Sequence, residues 1–295
     1  MTQGGVIEHG YADANGVRLH VARCGDGPLM LFLHGFPEYW AMWRPFLEYF
    51  GARGHGAVAP DLRGYNLSDK PPQVDAYKAQ HLVADVLELA ARYTQDKFVL
   101  VAHDWGGAVA WSVAIARPER LSRLVIINSP HPYIFWRELT RNPAQQKASE
   151  YMLLFRSAKA ERVLSENGYA RLLGAFSDLD PAARAALVEA WSLPGALAGG
   201  LNYYRASPLY PPSSDDPGAA RLRLEPKDFM VRVPTLVLWG ERDTALLPGC
   251  LEGLETVVPD LEIVRIPDAT HWVTREKTAL LIAEMERWIN RRNLP

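Results

Sequence analysis

At 295 residues, with 48% hydrophobic and 22% charged side chains, the chain has an ordinary globular composition and can bury a sizeable core, which excludes disordered and fibrous classes. A formal net charge of -2 gives no broad cationic footprint, so nucleic acid is excluded and a small molecule or a protein is the expected partner. Two cysteines, Cys24 and Cys250, make neither a disulfide framework nor a metal-ligand spacing, and they fit a reducing compartment.

The opening stretch Met1 to Gly5 has neither the basic nor the apolar region of a secretory signal. No run of about 18 apolar residues follows that could cross a membrane, so a cytoplasmic protein without membrane contact is expected. Asn15-Gly16 between Gly10–Asp13 and Val17–Val21 is the signal of a type I′ hairpin. Leu29–Leu33, an unbroken apolar run bounded by Gly27-Pro28 and His34-Gly35, predicts a strand buried on both faces. Ala57–Pro60 predicts the next strand, and Leu82, Val83, Val86, Leu87, Leu89 and Ala90 give His81–Tyr93 a helical period.

Phe98–Ala102 reads as a buried strand leading through His103-Asp104-Trp105-Gly106-Gly107 into a helix over Ala108–Ala116. Leu124–Asn128, Thr235–Trp239 and Leu261–Ile266 continue the alternation, which predicts an α/β fold with a mostly parallel, doubly wound sheet. From Pro130 to about Pro217 the rhythm stops and helical patterns rich in Ala, Leu and aromatics take over. The expected organisation is a core of residues 1–130 and 218–295 carrying a helical cap, or lid, of residues 131–217. The Pro- and Ser-rich segment Ser207–Pro217 marks the return.

Asp104 stands at the centre of a strand–turn–helix elbow, which presents a side chain at the carboxyl edge of the sheet beside the N–H groups of a helix start. A carboxylate there, in place of the serine of G-x-S-x-G, is an ionised nucleophile suited to displacing a leaving group from saturated carbon. The product is an alkyl–enzyme ester, whose cleavage by water needs a base and an oxyanion hole. His271, just after the last strand, can be the base. Asp243 or Glu241, after the preceding strand, can hold its imidazole. The backbone N–H groups of Phe36 and Trp105 form the candidate oxyanion hole.

His34-Gly35-Phe36-Pro37-Glu38, Ala59–Tyr65 and His103–Gly107 resemble the soluble epoxide hydrolases of the α/β-hydrolase fold, over essentially the whole chain. The resemblance implies a mostly parallel eight-stranded sheet flanked by helices with an inserted helical lid, no cofactor and no metal. It assigns the acid to Asp243, and it implies two lid tyrosines that bind and protonate the epoxide oxygen. These match Tyr151, in Tyr151–Phe155, and Tyr204, in Asn202-Tyr203-Tyr204-Arg205, while Tyr203 is expected to be structural. A phenol with its high pKa can deliver a proton without ionising first. Phe36, Pro37, His103, Trp105 and Phe155, which flank these groups, are expected to bind substrate.

Three positions depart from the pattern: Ala102 and Thr270, where glycines are usual, and Arg156, where glutamine is usual and which is expected to be solvated or to reach an anionic substrate. The same elbow motif occurs in haloalkane and haloacetate dehalogenases, so a dehalogenase with this triad is the leading alternative. It would need a second halide donor besides the Trp105 indole; Trp136 and Trp191 belong to no assignable motif, and the haloacetate enzymes' Arg after the nucleophile is Trp105 here. An ester hydrolase would lack its Ser or Cys, and a non-catalytic protein of this fold would have no use for the full set. The sequence leaves the oligomeric state open, a homodimer included.

Overall fold

The computed structural model describes residues 5–176 and 179–291, so the Met1–Gly4 part of the leader reading lies outside the described residues. Eight strands among them form one sheet: β1 (Glu8–Ala14), β2 (Val17–Cys24), β3 (Leu29–Leu33), β4 (Gly56–Pro60), β5 (Phe98–His103), β6 (Leu121–Ile127), β7 (Thr235–Gly240) and β8 (Leu261–Ile266). Their spatial order is β1-β2-β4-β3-β5-β6-β7-β8. The first two pairings, β1 with β2 and β2 with β4, are antiparallel. Every later pairing is parallel. Asn15 (φ 47°) and Gly16 (φ 73°) both adopt the left-handed conformation that a two-residue type I′ hairpin requires.

Helices cover both faces, because alternate residues of each central strand point to opposite sides. On one face Val99 and Val101 of β5 meet α1 (Arg44–Gly51) through Phe46 and Phe50, and the long C-terminal helix Thr278–Arg291 through Met285 and Trp288. On the other, Phe98, Leu100 and Ala102 meet α2 (Ala79–Ala91) and α3 (Asp104–Ala116).

Between β6 and β7 no strand occurs among the described residues. The chain there forms α4 (Pro132–Arg141), α5 (Pro143–Ala148), α6 (Tyr151–Arg156), α7 (Ala160–Leu173), α8 (Pro181–Ser192) and α9 (Ala196–Ala206), with a break in α7 where Asn167, Gly168 and Tyr169 turn left-handed. The short α10 (Val273–Glu276) and α11 (Thr278–Arg291) close the chain. No helix among the described residues is long and apolar enough to cross a membrane. Because β3, β5, β6, β7 and β8 run parallel, their carboxyl ends share one edge of the sheet, where a doubly wound fold places its ligands.

Candidate active site

Asp104 follows β5 with φ 50°, a conformation that costs a non-glycine residue energy and that tight packing must enforce. The enforcement comes from the glycines. A Cβ on Gly106 would lie 2.3 Å from the Leu33 carbonyl oxygen, and one on Gly35 would lie 2.2 Å from Asp104 Oδ1. Both segments can therefore approach only without side chains. Ser129 Oγ donates to the Asp104 carbonyl at 2.7 Å and ties the elbow to the end of β6.

The carboxylate is polarised by its surroundings. Phe36 N–H donates to Asp104 Oδ1 at 2.7 Å, and the Trp105 N–H also bonds the group. Oδ2 faces His271 Nε2 at 3.6 Å, too far for a hydrogen bond. Burial pushes the Asp104 pKa upward, and it is opposed by the His271 charge and the two N–H donors.

His271 Nδ1 lies 2.7 Å from Asp243 Oδ2, which sits at the end of β7 with a fully buried side chain. Asp243 Oδ1 accepts from the N–H groups of Ala245 and Leu246, and Asn128 Nδ2 donates to Oδ2 at 2.9 Å. Burial works against its charge, but His271 and these donors outweigh it and hold the Asp243 pKa below the usual carboxylate value. Burial likewise opposes the imidazolium, yet Asp243 and then Asp104 prevail and push His271 up to about 9. Glu241, the competing acid, pairs instead with Arg265 at 2.9 Å.

The loops are stitched together outside the triad. Thr270 donates to Glu276 through both its N–H and its hydroxyl, which accounts for a hydroxyl where glycine is usual. Glu38, next to the Phe36 loop, forms a two-pronged pair with Arg275, four residues after His271. Ala102, the other departure, is fully buried within β5.

A cavity of about 410 Å³ opens above Asp104, with Trp105, Tyr151 and Tyr204 in its wall. The Tyr204 ring meets Tyr151 and Trp105 edge-on, with ring centroids 6.2 and 5.0 Å away. Burial, with the charge of Asp104 behind it, raises the Tyr151 hydroxyl well above its usual pKa. Tyr204 is raised likewise by burial, Tyr151 and Asp104. Both are neutral donors at any ordinary pH. Tyr203 donates to the Arg63 carbonyl at 3.0 Å, in keeping with a structural role, although it also touches the cavity.

Four of the five expected substrate contacts sit elsewhere. His103 is wholly buried beneath the triad, where its Nε2 donates to the His271 carbonyl at 2.9 Å. Phe36 packs behind Tyr204 and Phe155, with ring centroids 5.5 and 5.3 Å away. The Pro37 carbonyl accepts the Trp191 indole, and Phe155 backs Tyr204 at 5.0 Å. Only Trp105 lines the cavity. The cause is common to all: side chains flanking a reactive group are consumed in holding it.

Arg156 is turned back onto the backbone through Nη1. Half-buried, it donates to the backbone carbonyls of Tyr204 and Ser207 at the end of α9 and lies over the Tyr210 ring at 3.7 Å. Trp136 and Trp191 give their indole N–H groups to the carbonyls of Ala219 and Pro37, so neither is free to hold a halide.

Sequence reasoning missed Asn128 and Ser129, buried polar residues directly after an apolar strand. Asn128 (φ 37°) bonds Gly240 through both ends of its amide as well as holding Asp243. A polar pair at the carboxyl end of β6, at the same sheet edge as Asp104, was the available signal.

A model of the α/β-hydrolase fold family matches residues 28–278. The AB hydrolase superfamily protein YfhM of Bacillus subtilis is 36% identical over 92% of this chain and 94% of its own length. Epoxide hydrolase 4 of Mus musculus is 34% identical over 89% of this chain and 74% of its own. Among solved structures, an epoxide hydrolase from hot-environment metagenomes aligns with a TM-score of 0.88 at 38% identity, covering 96% of this chain and 99% of that one. The Bacillus megaterium epoxide hydrolase with an inhibitor aligns at 0.87 and 33%, covering 95% and 100%.

Proposed function

Since the chain belongs to the α/β-hydrolase fold family and, within it, to the epoxide hydrolases, we propose that it opens epoxides to vicinal diols through a covalent ester on Asp104. The observation that carries this reading is the pair of neutral phenols, Tyr151 and Tyr204, with ring centroids 6.2 Å apart in the same cavity as the carboxylate. Both come from residues 131–217, read as a cap, whereas the nucleophile and base come from the core of 1–130 and 218–295.

Asp104 Oδ2, the oxygen that faces His271, attacks an epoxide carbon. As the carbon–oxygen bond breaks, the ring oxygen takes a proton from the tyrosine pair, leaving a phenolate and a hydroxyalkyl ester. His271 then removes a proton from water, and the hydroxide adds to the ester carbonyl. Oδ1 becomes the oxyanion, held by the Phe36 N–H that already donates to it and by the Trp105 N–H beside the carboxyl group. Collapse expels the diol, which takes the proton from His271. The remaining proton of water, released as Asp104 re-ionises, restores the phenolate.

Asp243 keeps the imidazole oriented with Nδ1 bonded and Nε2 facing the site. Formation of the ester removes the Asp104 charge, one of the contributions that raise the His271 pKa, so the base is released when it is needed.

The deciding experiment incubates the protein with an aryl epoxide, a short haloalkane and fluoroacetate, and measures diol and halide. Diol formation, lost in Asp104→Asn, is expected; halide release without diol would overturn the reading. One turnover in heavy-oxygen water should label the Asp104 carboxylate.

A further inference from the structure

Beyond the reacting groups, the cavity continues along one row of α3. Asp104, Trp105, Ala108, Ser112 and Ile115 line it and are half-buried, while Gly106, Gly107, Ala110, Trp111, Val113 and Ala114 face the core. Asp104, Ala108, Ser112 and Ile115, at spacings of four, four and three residues, share one face of the helix, with Trp105 beside the first of them. From Asp104 to Ile115 the row is ~16 Å long at the helical rise.

Its side walls are apolar as well. Leu82 of α2 stands on one flank, and Leu222, Leu224 and Phe229 on the other. In that second wall Leu222 and Leu224 are half-buried while Arg221, Arg223 and Glu225 are exposed, so the segment turns its charges outward and its leucines toward the groove. Asp104 is the only charged residue that lines the cavity among the described residues. The Ser112 hydroxyl is already spent on the Ala108 carbonyl at 2.9 Å.

We infer that the groove over Ala108, Ser112 and Ile115 is a tail site, and that the substrates are terminal epoxides carrying a long, unbranched and uncharged substituent laid along α3. This rests on the epoxide reading and adds to it which epoxides are turned over best. The physical ground is twofold. Each methylene moved from water onto apolar walls contributes a constant increment of binding. A charge placed inside the groove would lose its hydration and find no partner.

The test measures kcat/KM for 1,2-epoxyalkanes from about four to about sixteen carbons, because an extended tail rises about 1.3 Å per carbon and roughly thirteen carbons are needed to span the ~16 Å row. The expected result is a rise of about threefold to fourfold per methylene until the tail reaches the mouth at Ile115. 1,2-Epoxyoctane should exceed 7,8-epoxyoctanoate, whose carboxylate would lie inside the groove, by at least about tenfold. In Ser112→Trp the ratio of the longest to the shortest substrate should collapse toward one.

A flat or falling series with diol still formed would overturn the tail site and leave the epoxide reading standing. Equal turnover of the carboxylate would do the same. Absence of diol from every epoxide would overturn both. The series on the unaltered protein decides the matter even if Ser112→Trp does not fold.

Discussion

At the scale of single residues, the two half-reactions of the proposed mechanism draw on different side chains, and this makes individual roles separable. Besides bracing Gly240, Asn128 touches the acid–base limb: its amide donates to the same Asp243 oxygen that receives His271 Nδ1. A hydrogen bond to a charged group contributes roughly 1.5–3 kcal/mol. Asn128→Ala is therefore expected to slow ester hydrolysis by about tenfold or more while alkylation of Asp104 keeps its rate, so the ester accumulates in rapid-quench mass spectra. Equal slowing of both steps would mean that Asn128 merely supports the fold. The pH dependence follows from the same electrostatics. His271 stands at about 9 in the resting protein, partly because Asp104 is negative beside it. In the ester that charge is gone, and hydrolysis requires the neutral imidazole. The hydrolysis step should thus fall toward acid pH with an apparent pKa below 9, measured by single turnover of preformed ester; an apparent pKa at or above 9 would show that Asp104 does not tune its own base. The elbow, the histidine and the oxyanion donors were legible in the sequence because each is a local turn following a strand. The partners of His103 and Pro37 were not legible, because which way a flanking group points depends on residues more than a hundred positions away, such as the His271 carbonyl and the Trp191 indole.

At the scale of elements, strands were the easiest to read. Leu29–Leu33 and Phe98–His103 are apolar throughout because both of their faces are covered, and the predicted and observed limits differ by a residue at most. The helices between β6 and β7 were legible only as helices: amphipathic faces give a period but not a docking partner, so neither the cavity wall nor the job of Arg156 could be read. That residue now has a defined one. At the C-terminus of α9 the carbonyls lack helical partners, and the Arg156 guanidinium fills the gap at Tyr204 and Ser207, 48 and 51 residues away in sequence. Arg156→Ala removes these donors at once and loosens the turn that aims the Tyr204 hydroxyl. The expected outcome is a slower alkylation step, by about tenfold, with hydrolysis of preformed ester unchanged. Arg156→Lys should recover part of the loss, since an ammonium supplies donors without the planar fork. Should hydrolysis slow in parallel, α9 would be acting through general destabilisation and not through Tyr204.

At the scale of the whole molecule, the groups that serve the site also set how stability depends on pH. Burial lowers the pKa of His34 to about 4, of His131 to about 4 and of His103 to about 3. Unfolding returns each to near 6.5, the ordinary value of an imidazole in water. A folded pKa below the unfolded one means that the unfolded chain takes up protons first as the pH drops. The contribution of each histidine is therefore complete above about 6.5 and is lost as the pH falls toward the folded value, at up to about 1.4 kcal/mol per pH unit. His271 has the opposite sign: raised to about 9, it stabilises the fold below 6.5 and loses that contribution as the pH rises through 9. Among the histidines, His9 and His55 are also lowered by burial and join these three on the acid limb, while His271 alone acts on the alkaline limb, so the fall in stability between pH 6.5 and 4 should be the steeper, as read from urea midpoints across that range. His131 offers the cleanest check, since it lies beside Trp111 and bonds the Phe229 carbonyl, away from the triad. His131→Gln keeps an amide donor for that carbonyl and cannot titrate. Its acid limb should be shallower by up to one proton's worth of slope, while its stability near pH 8 changes much less than at pH 5. An acid limb of unaltered slope in His131→Gln would show that this buried imidazole does not resist protonation in the folded chain.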